Sequence, residues 1–279
     1  MLPHFLSLRP ASKAEALSFL SELDDPAVIA GGTDLIVRMK KGEAHLHLVD
    51  IIPIKELSGV ALKDRRIVVG AAATLRELST NQLLSTSAPA LAQAASWIGS
   101  PQIRNMATIG GNLVNASPAA DSIPPLLVHD AQLTLESRDH VRTQALEAFI
   151  TGPYKTTIAA TEMLSAISLE PLKGYAEGYK RVAKRAAWAI SRLGIAWAIS
   201  EKDGTFVDVR LAIGSCTPTP FRARNVETFL IGKKRQNSVI ADAISLCLTE
   251  IRRISGERPS FVYKLPVVRD LLHGILGGA

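Results

Sequence analysis

Cysteine and aromatic residues are scarce in this chain. Its 279 residues hold two cysteines, Cys216 and Cys247, far apart and outside any C-x-x-C spacing. That argues against a metal or iron–sulfur site built by this chain alone and reads both as ordinary buried thiols. The histidines (His4, His45, His47, His129, His140 and His273) show no ligand spacing beyond i, i+2, so structural or exposed positions are expected for them. Phe, Trp and Tyr make up only 5% of the chain, and the basic clusters lack the interleaved aromatics of a nucleic-acid stacking platform. No apolar run approaches the roughly 20 residues that span a bilayer. The opening Met1-Leu2-Pro3-His4 has no basic segment ahead of an apolar stretch, so no secretory signal and a cytoplasmic protein are expected. No nucleophile–base constellation stands out, nor does any internal repeat.

What is present divides near Pro171-Leu172-Lys173-Gly174. Residues 1–170 carry 14 Lys+Arg against 17 Asp+Glu, whereas residues 171–279 carry 18 against 9. The +6 net charge is therefore local to the last third, which reads as a solvated basic face or a docking surface for an acidic partner. A chain of this length accommodates two domains, and the boundary is placed at this change of sign, giving 1–170 and 171–279.

Two glycine pairs carry the functional signal: Ala30-Gly31-Gly32-Thr33-Asp34-Leu35, and Thr108-Ile109-Gly110-Gly111-Asn112 with its run on to Asp121. Glycine lacks the Cβ that would keep a backbone away from a bound diphosphate, and successive free N–H groups form an anion-binding concavity. Each pair follows apolar residues, and two such loops point to a large diphosphate-bearing cofactor. Neither is a G-x-G-x-x-G opening a long helix, so a Rossmann domain is disfavoured. Both pairs could also be tight turns. Asp34 and Asp121 stand where helix N-caps would stand, a role open beside ligand contact.

Along the chain, Ser12-Lys13-Ala14-Glu15 and Thr74-Leu75-Arg76-Glu77 are capping boxes, predicting helices to about Leu23 and Leu84. Strands are predicted at 27–30, 45–51, 66–70, 131–136 and 162–169, a short helix at 35–41, and helices at 89–98 and 121–129. Residues 105–115 read as extended apart from the glycines. Beyond the boundary, 186–200 and 205–214 flank Asp203-Gly204, a hairpin cue, and helices are predicted at about 237–251 and 263–276. Strands with interspersed helices, then a hairpin, then helices make an α+β protein.

The second loop in full, Gln102-Ile103-Arg104-Asn105-Met106-Ala107-Thr108-Ile109-Gly110-Gly111-Asn112-Leu113-Val114-Asn115-Ala116-Ser117-Pro118-Ala119-Ala120-Asp121, resembles the FAD-binding segment of the flavin subunits of molybdenum hydroxylases. That family includes the medium subunit of aerobic carbon monoxide dehydrogenase, the flavin domain of xanthine dehydrogenase and the β subunit of 4-hydroxybenzoyl-CoA reductase. Leu2-Pro3-x-Phe5 with Arg9-Pro10 resembles its opening, the first glycine loop its first FAD loop, and Ser215 to Arg224 with Glu227, Leu230 and Gly232 its C-terminal domain.

The resemblance implies a two-lobed FAD-binding domain of the PCMH/VAO type, with lobes of about 1–55 and 56–170, followed by a smaller C-terminal domain of antiparallel sheet plus helices. It implies that Val28, Ile29, Ala30, Gly31, Gly32, Thr33, Asp34 and Leu35 form one cradle for the FAD diphosphate, and Thr108, Ile109, Gly110, Gly111 and Asn112 the other. Asp121 would contact sugar or ribityl hydroxyls, Ile98 and Leu164 would lie near the flavin, and Lys180 near its ring system. Departures from the family pattern carry information too. No cysteine follows the second loop, so the reductase's extra iron–sulfur cluster is not expected, and Arg185-Ala186-Ala187-Trp188 stands where the family often has Arg-x-x-Asp. Neither loop holds a His, Cys or Tyr for covalent attachment, which predicts dissociable FAD. The implied role is electron transfer within a complex. A molybdopterin-binding large subunit would oxidise the substrate, an iron–sulfur small subunit with two two-iron two-sulfur clusters would relay electrons, and NAD, a quinone, oxygen or another protein would accept them. A stand-alone FAD oxidase or reductase of the wider fold is the alternative.

Overall fold

The computed structural model describes residues 2–185 and 190–278. Three parallel strands open the chain, β1 (Leu6–Leu8), β2 (Pro26–Ile29) and β3 (His47–Asp50), in the order β1-β3-β2. The crossover from β1 to β2 contains the helix Lys13–Glu22, which starts where the capping box predicted. The Ser12 hydroxyl accepts from the Glu15 amide at 3.2 Å, and the Glu15 carboxylate accepts from the Ala11 amide at 2.7 Å. Ala16, Leu17 and Leu20 from that helix pack with Val49 and Ile51 into a small core of their own.

The second lobe is an antiparallel sheet with helices on one face. Its strands are β4 (Val60–Lys63), β5 (Arg66–Gly70), β6 (Gln132–Glu136) and β7 (Val141–Ala145); a small hairpin of β8 (Ile150–Gly152) and β9 (Lys155–Thr156) precedes β10 (Met163–Leu169). β10 runs through the centre, giving the order β4-β5-β10-β6-β7. The helix predicted from Thr74 to Leu84 is two helices, Leu75–Thr80 and Gln82–Ser87. They break at Asn81, whose side chain turns inward to cap the second by accepting from the Leu84 amide at 3.2 Å.

The third sheet comprises β11 (Ala176–Ala183), β12 (Ser191–Lys202), β13 (Thr205–Gly214) and β14 (Phe221–Arg222), all antiparallel. Asp203 and Gly204 turn β12 into β13 with φ of 51° and 72°, the left-handed pair that a two-residue hairpin requires. The strand reading at 186–200 holds from Ser191; residues 186–189, Trp188 among them, lie outside the described residues. β12 alternates large and small residues. Leu193, Ile195 and Ile199 face the C-terminal helices Asn237–Ser255 and Phe261–Gly277, while Ala196 and Ala198 face the core of the second lobe. Both faces of this sheet are therefore covered.

Glu250 is an exception in the C-terminal core. One carboxylate oxygen accepts from the Asn225 amide at 2.8 Å, and the other is buried without a partner among the described residues. Burial pushes its pKa above the usual carboxylate range. A carboxyl whose folded pKa is raised contributes its stability below the unfolded pKa, and that contribution is lost as pH rises through the folded value. Glu250→Gln should therefore stabilise the protein at pH 8 by about 1 kcal/mol and lose that advantage at pH 4. Urea midpoints of both proteins at the two pH values check this; equal gaps at both would contradict it.

Candidate functional site

Between the ends of β2 and β10 and the segment before β6 lies a groove of about 290 Å³, near the lower end of ligand-site volumes. It is built where the first glycine loop meets the second. The contact is closer than the sequence suggests: a Cβ on Gly31 would lie 1.9 Å from the Met106 carbonyl oxygen. Gly110 is packed as tightly, its Cβ position 2.7 Å from the Ala71 Cβ and carbonyl oxygen. Gly32 has φ of +66°, which favours glycine for conformational reasons. These three glycines thus serve the protein's own packing. Gly111 differs, for it is exposed and its absent Cβ would meet only the Thr108 hydroxyl, at 3.1 Å.

The two loops differ in what their amides do. Residues 105–115, read as extended, are helical on either side of Ala107: Pro101–Met106 and Ile109–Asn115. Ser100 and Thr108 are the reason, each N-capping its helix, with Thr108 Oγ1 accepting from the Gly111 amide at 3.1 Å. The Gly-Gly pair sits in a capped first turn, where glycine costs little. As a result the amides of Ile109, Gly110, Gly111 and Asn112 all donate within the protein, to Ala73 O, Ala71 O, Thr108 Oγ1 and Thr108 O. The first loop is the opposite case. Among the described residues none accepts from the amides of Gly31, Gly32, Thr33, Asp34 or Leu35, and the first helical bond is that of Ile36 to Gly32 O at 3.0 Å. Five consecutive donors in a groove suit an anion. From the second loop come side chains: the Thr108 hydroxyl proton, and the Asn112 amide, whose oxygen accepts from the Ser122 hydroxyl at 2.5 Å and leaves its NH₂ to donate.

Of the predicted residues, Val28 through Leu35, Ile98, Thr108, Gly110, Gly111, Asn112 and Leu164 line the groove. Three do not. Ile109 is buried in the core. Asp121 is buried among protein donors: the Tyr179 hydroxyl at 2.6 Å, Arg181 Nη1 at 2.8 Å and the Ser191 hydroxyl. Burial and this carboxylate push the Tyr179 phenol well up, so it remains a donor. Lys180 points the other way from Tyr179 and Arg181, as strand alternation requires, with Nζ 5.9 Å from the centroid of the Trp197 ring. The cation on the side of Asp121 is Arg181, 5.5 Å above the ring of Trp97, next to the groove residue Ile98. The capping roles open for Asp34 and Asp121 are not taken up; neither carboxylate bonds a helix amide.

The sequence reading missed Arg38, Asn115 and Glu162, which also line the groove. Arg38 lies one helical turn after Asp34, a spacing that was available; Asn115 lies one turn after Gly111, hidden because that segment was read as extended. Glu162 is held by Arg142 through two bonds of 2.5 and 2.7 Å and accepts from the Ala159 amide, which lowers its pKa, the Arg142 contact most of all.

Residues 3–171 match a family described as the FAD binding domain in molybdopterin dehydrogenase, and residues 178–277 one described as the CO dehydrogenase flavoprotein C-terminal domain. The chain belongs to the flavin subunits of the molybdenum hydroxylases. It is 31% identical to the xanthine dehydrogenase FAD-binding subunit of Escherichia coli O157:H7 over 97% of this chain and 94% of that one. It is 33% identical to the glyceraldehyde dehydrogenase medium chain of Sulfolobus acidocaldarius over 96% of each. Among solved structures, a carbon monoxide dehydrogenase chain from Hydrogenophaga pseudoflava superposes with a TM-score of 0.89 at 26% identity, over 100% of this chain and 96% of that one. As a flavin subunit of this family the protein is an oxidoreductase component whose cofactor is FAD, and its α+β architecture is that of the carbon monoxide dehydrogenase chain. No helix among the described residues is long and apolar enough to cross a membrane.

Proposed function

We propose that this chain is the electron-transfer subunit of a cytoplasmic complex, holding FAD in the groove. It receives electrons from a small subunit with two two-iron two-sulfur clusters, fed by a molybdopterin-binding large subunit, and passes them to an external acceptor such as NAD or a quinone. The division of labour follows the boundary near residue 170: residues 1–170 hold the cofactor, and residues 171–279 cover the core of the second lobe behind it. One observation supports the reading above all: the groove-lining residues Gly31 to Leu35 have amides with no acceptor among the described residues. When bound, FAD supplies both one-electron and two-electron redox steps.

Each residue then has a task. The Gly31–Leu35 amides bind the diphosphate, and Thr108 and Asn112 add side-chain donors from the facing loop. Ile98 and Leu164 exclude water. Asp121 acts indirectly, by fixing Arg181 and Tyr179 beside Trp97. None of the described residues lining the groove is His, Cys or Tyr, which supports a cofactor held without a covalent bond. The lining residues also count against a stand-alone oxidase. Its acids are Asp34, exposed at the rim, and Glu162, already saturated by Arg142, and neither is placed as a catalytic base.

The full chain should purify yellow, release FAD on denaturation, and bring down chains carrying molybdenum and iron–sulfur clusters when isolated from its source. Gly111→Val tests the groove itself. Its branched side chain meets no backbone but presses on the Thr108 hydroxyl, 3.1 Å from the new Cβ, and projects from the second loop, so flavin content should fall below a tenth of wild type while the flavin-free protein loses less stability than with Gly31→Ala. Undiminished flavin content in that variant would remove the second loop from the site.

A further inference from the structure

We infer that Arg38 is the cofactor's phosphate counter-ion and the residue that makes the groove prefer a diphosphate-bearing flavin over one without phosphate. The inference rests on the reading of the groove as the FAD site. Among the described residues that line the groove, the charged ones are Asp34, Arg38 and Glu162. The Glu162 carboxylate is neutralised by Arg142, and Arg38 is the cation among these lining residues, paired on its Nε side with Glu43 and open on its Nη2 side. Amide donors alone satisfy hydrogen bonds but bring no formal charge to the two negative charges of a diphosphate; a guanidinium offsets part of that charge and adds donors in a planar fork.

Its geometry is set beforehand. Arg38 Nε donates to Glu43 at 2.8 Å and Nη1 to the Asn115 side-chain oxygen at 2.7 Å. Glu43 is itself held low in pKa by its bonds to His45 and Arg38. These bonds orient the fork from two sides, and Nη2 has no acceptor among the described residues. The Asn115 contact also ties the helix after the first glycine loop to the helix that carries the second. Arg38 is half exposed, with 46% of its side chain accessible, so a phosphate reaches it without any rearrangement of the core.

Titration of the full chain, stripped of flavin, with FAD, ADP and riboflavin tests this by flavin fluorescence quenching and calorimetry. Arg38→Gln should weaken FAD and ADP about 10- to 100-fold and leave riboflavin unchanged. Arg38→Lys, which keeps the charge but loses the fork, should fall between. Asn115→Ala removes the tie but not the charge, so it should preserve the wild-type ratio of FAD to riboflavin affinity. In wild-type protein, added salt should weaken ADP more than riboflavin, a readout independent of whether any variant folds. An unchanged FAD-to-riboflavin ratio in Arg38→Gln, or an equal change in Asn115→Ala, would reduce Arg38 to a structural tie and overturn the inference. Wild-type protein that binds neither FAD nor ADP would instead sink the assignment of the groove.

Discussion

Gly31→Ala is expected to give protein without flavin and with reduced stability, a larger effect than one methyl group ordinarily has. The added carbon would stand 1.9 Å from the Met106 carbonyl oxygen and 2.4 Å from its carbon. Both are main-chain atoms, so no rotamer change relieves the clash, and the two loops must separate. Overpacking of this kind costs about 1–3 kcal/mol. The cost falls where the backbone of the first loop packs against the second. Flavin absorbance per chain and thermal melts measure both effects, with Gly277→Ala as control, since nothing lies within 4 Å of its Cβ position and its backbone is helical. Flavin content equal to wild type would mean that the loops do not need this approach.

Asp121→Ala should destabilise the protein by about 3–5 kcal/mol, read from chemical denaturation of flavin-free protein. Its carboxylate is the ion-pair partner of Arg181, whose side chain is only 7% accessible, and it also accepts from the buried Tyr179 and Ser191 hydroxyls. Removing it leaves a buried cation and two buried hydroxyls without their acceptor. Asp121→Asn keeps the acceptor oxygen but not the charge, so it should lose less. Were Asp121 only a ligand group, Asp121→Ala would lower FAD affinity and leave flavin-free stability unchanged.

Both halves of the groove carry a mark in the sequence, because a glycine pair after apolar residues permits a close backbone approach, as Gly31 and Gly110 show. Which partner each glycine approaches was not legible there. Gly31 and Gly110 contact Met106 and Ala71, residues joined to them only by tertiary structure, and no local pattern announces such a contact. The second loop was misread because glycines argue against helix, whereas Ser100 and Thr108 argue for one through the cap they supply to the amide three residues on. Capping won. Lys180 was carried over from the resemblance, but the parity of β11 turns Arg181, not Lys180, toward Asp121. The strands Val60–Lys63, Val141–Ala145 and Ala176–Ala183 escaped notice because each forms an outer strand of its sheet, half-exposed and polar enough to blur the alternation.

The alternation along β12 has a consequence for anyone dividing the molecule. Tyr179, Ala196, Ala198 and Ala212 belong to the same core as the helices and sheet of the second lobe, although they follow the boundary proposed near residue 170 from the change in charge. A fragment ending there would keep every groove residue yet expose the apolar seam on which the missing sheet sits. Such a fragment would aggregate or scavenge a substitute surface, so flavin chemistry in this subunit is inseparable from the half of the chain that never touches the groove.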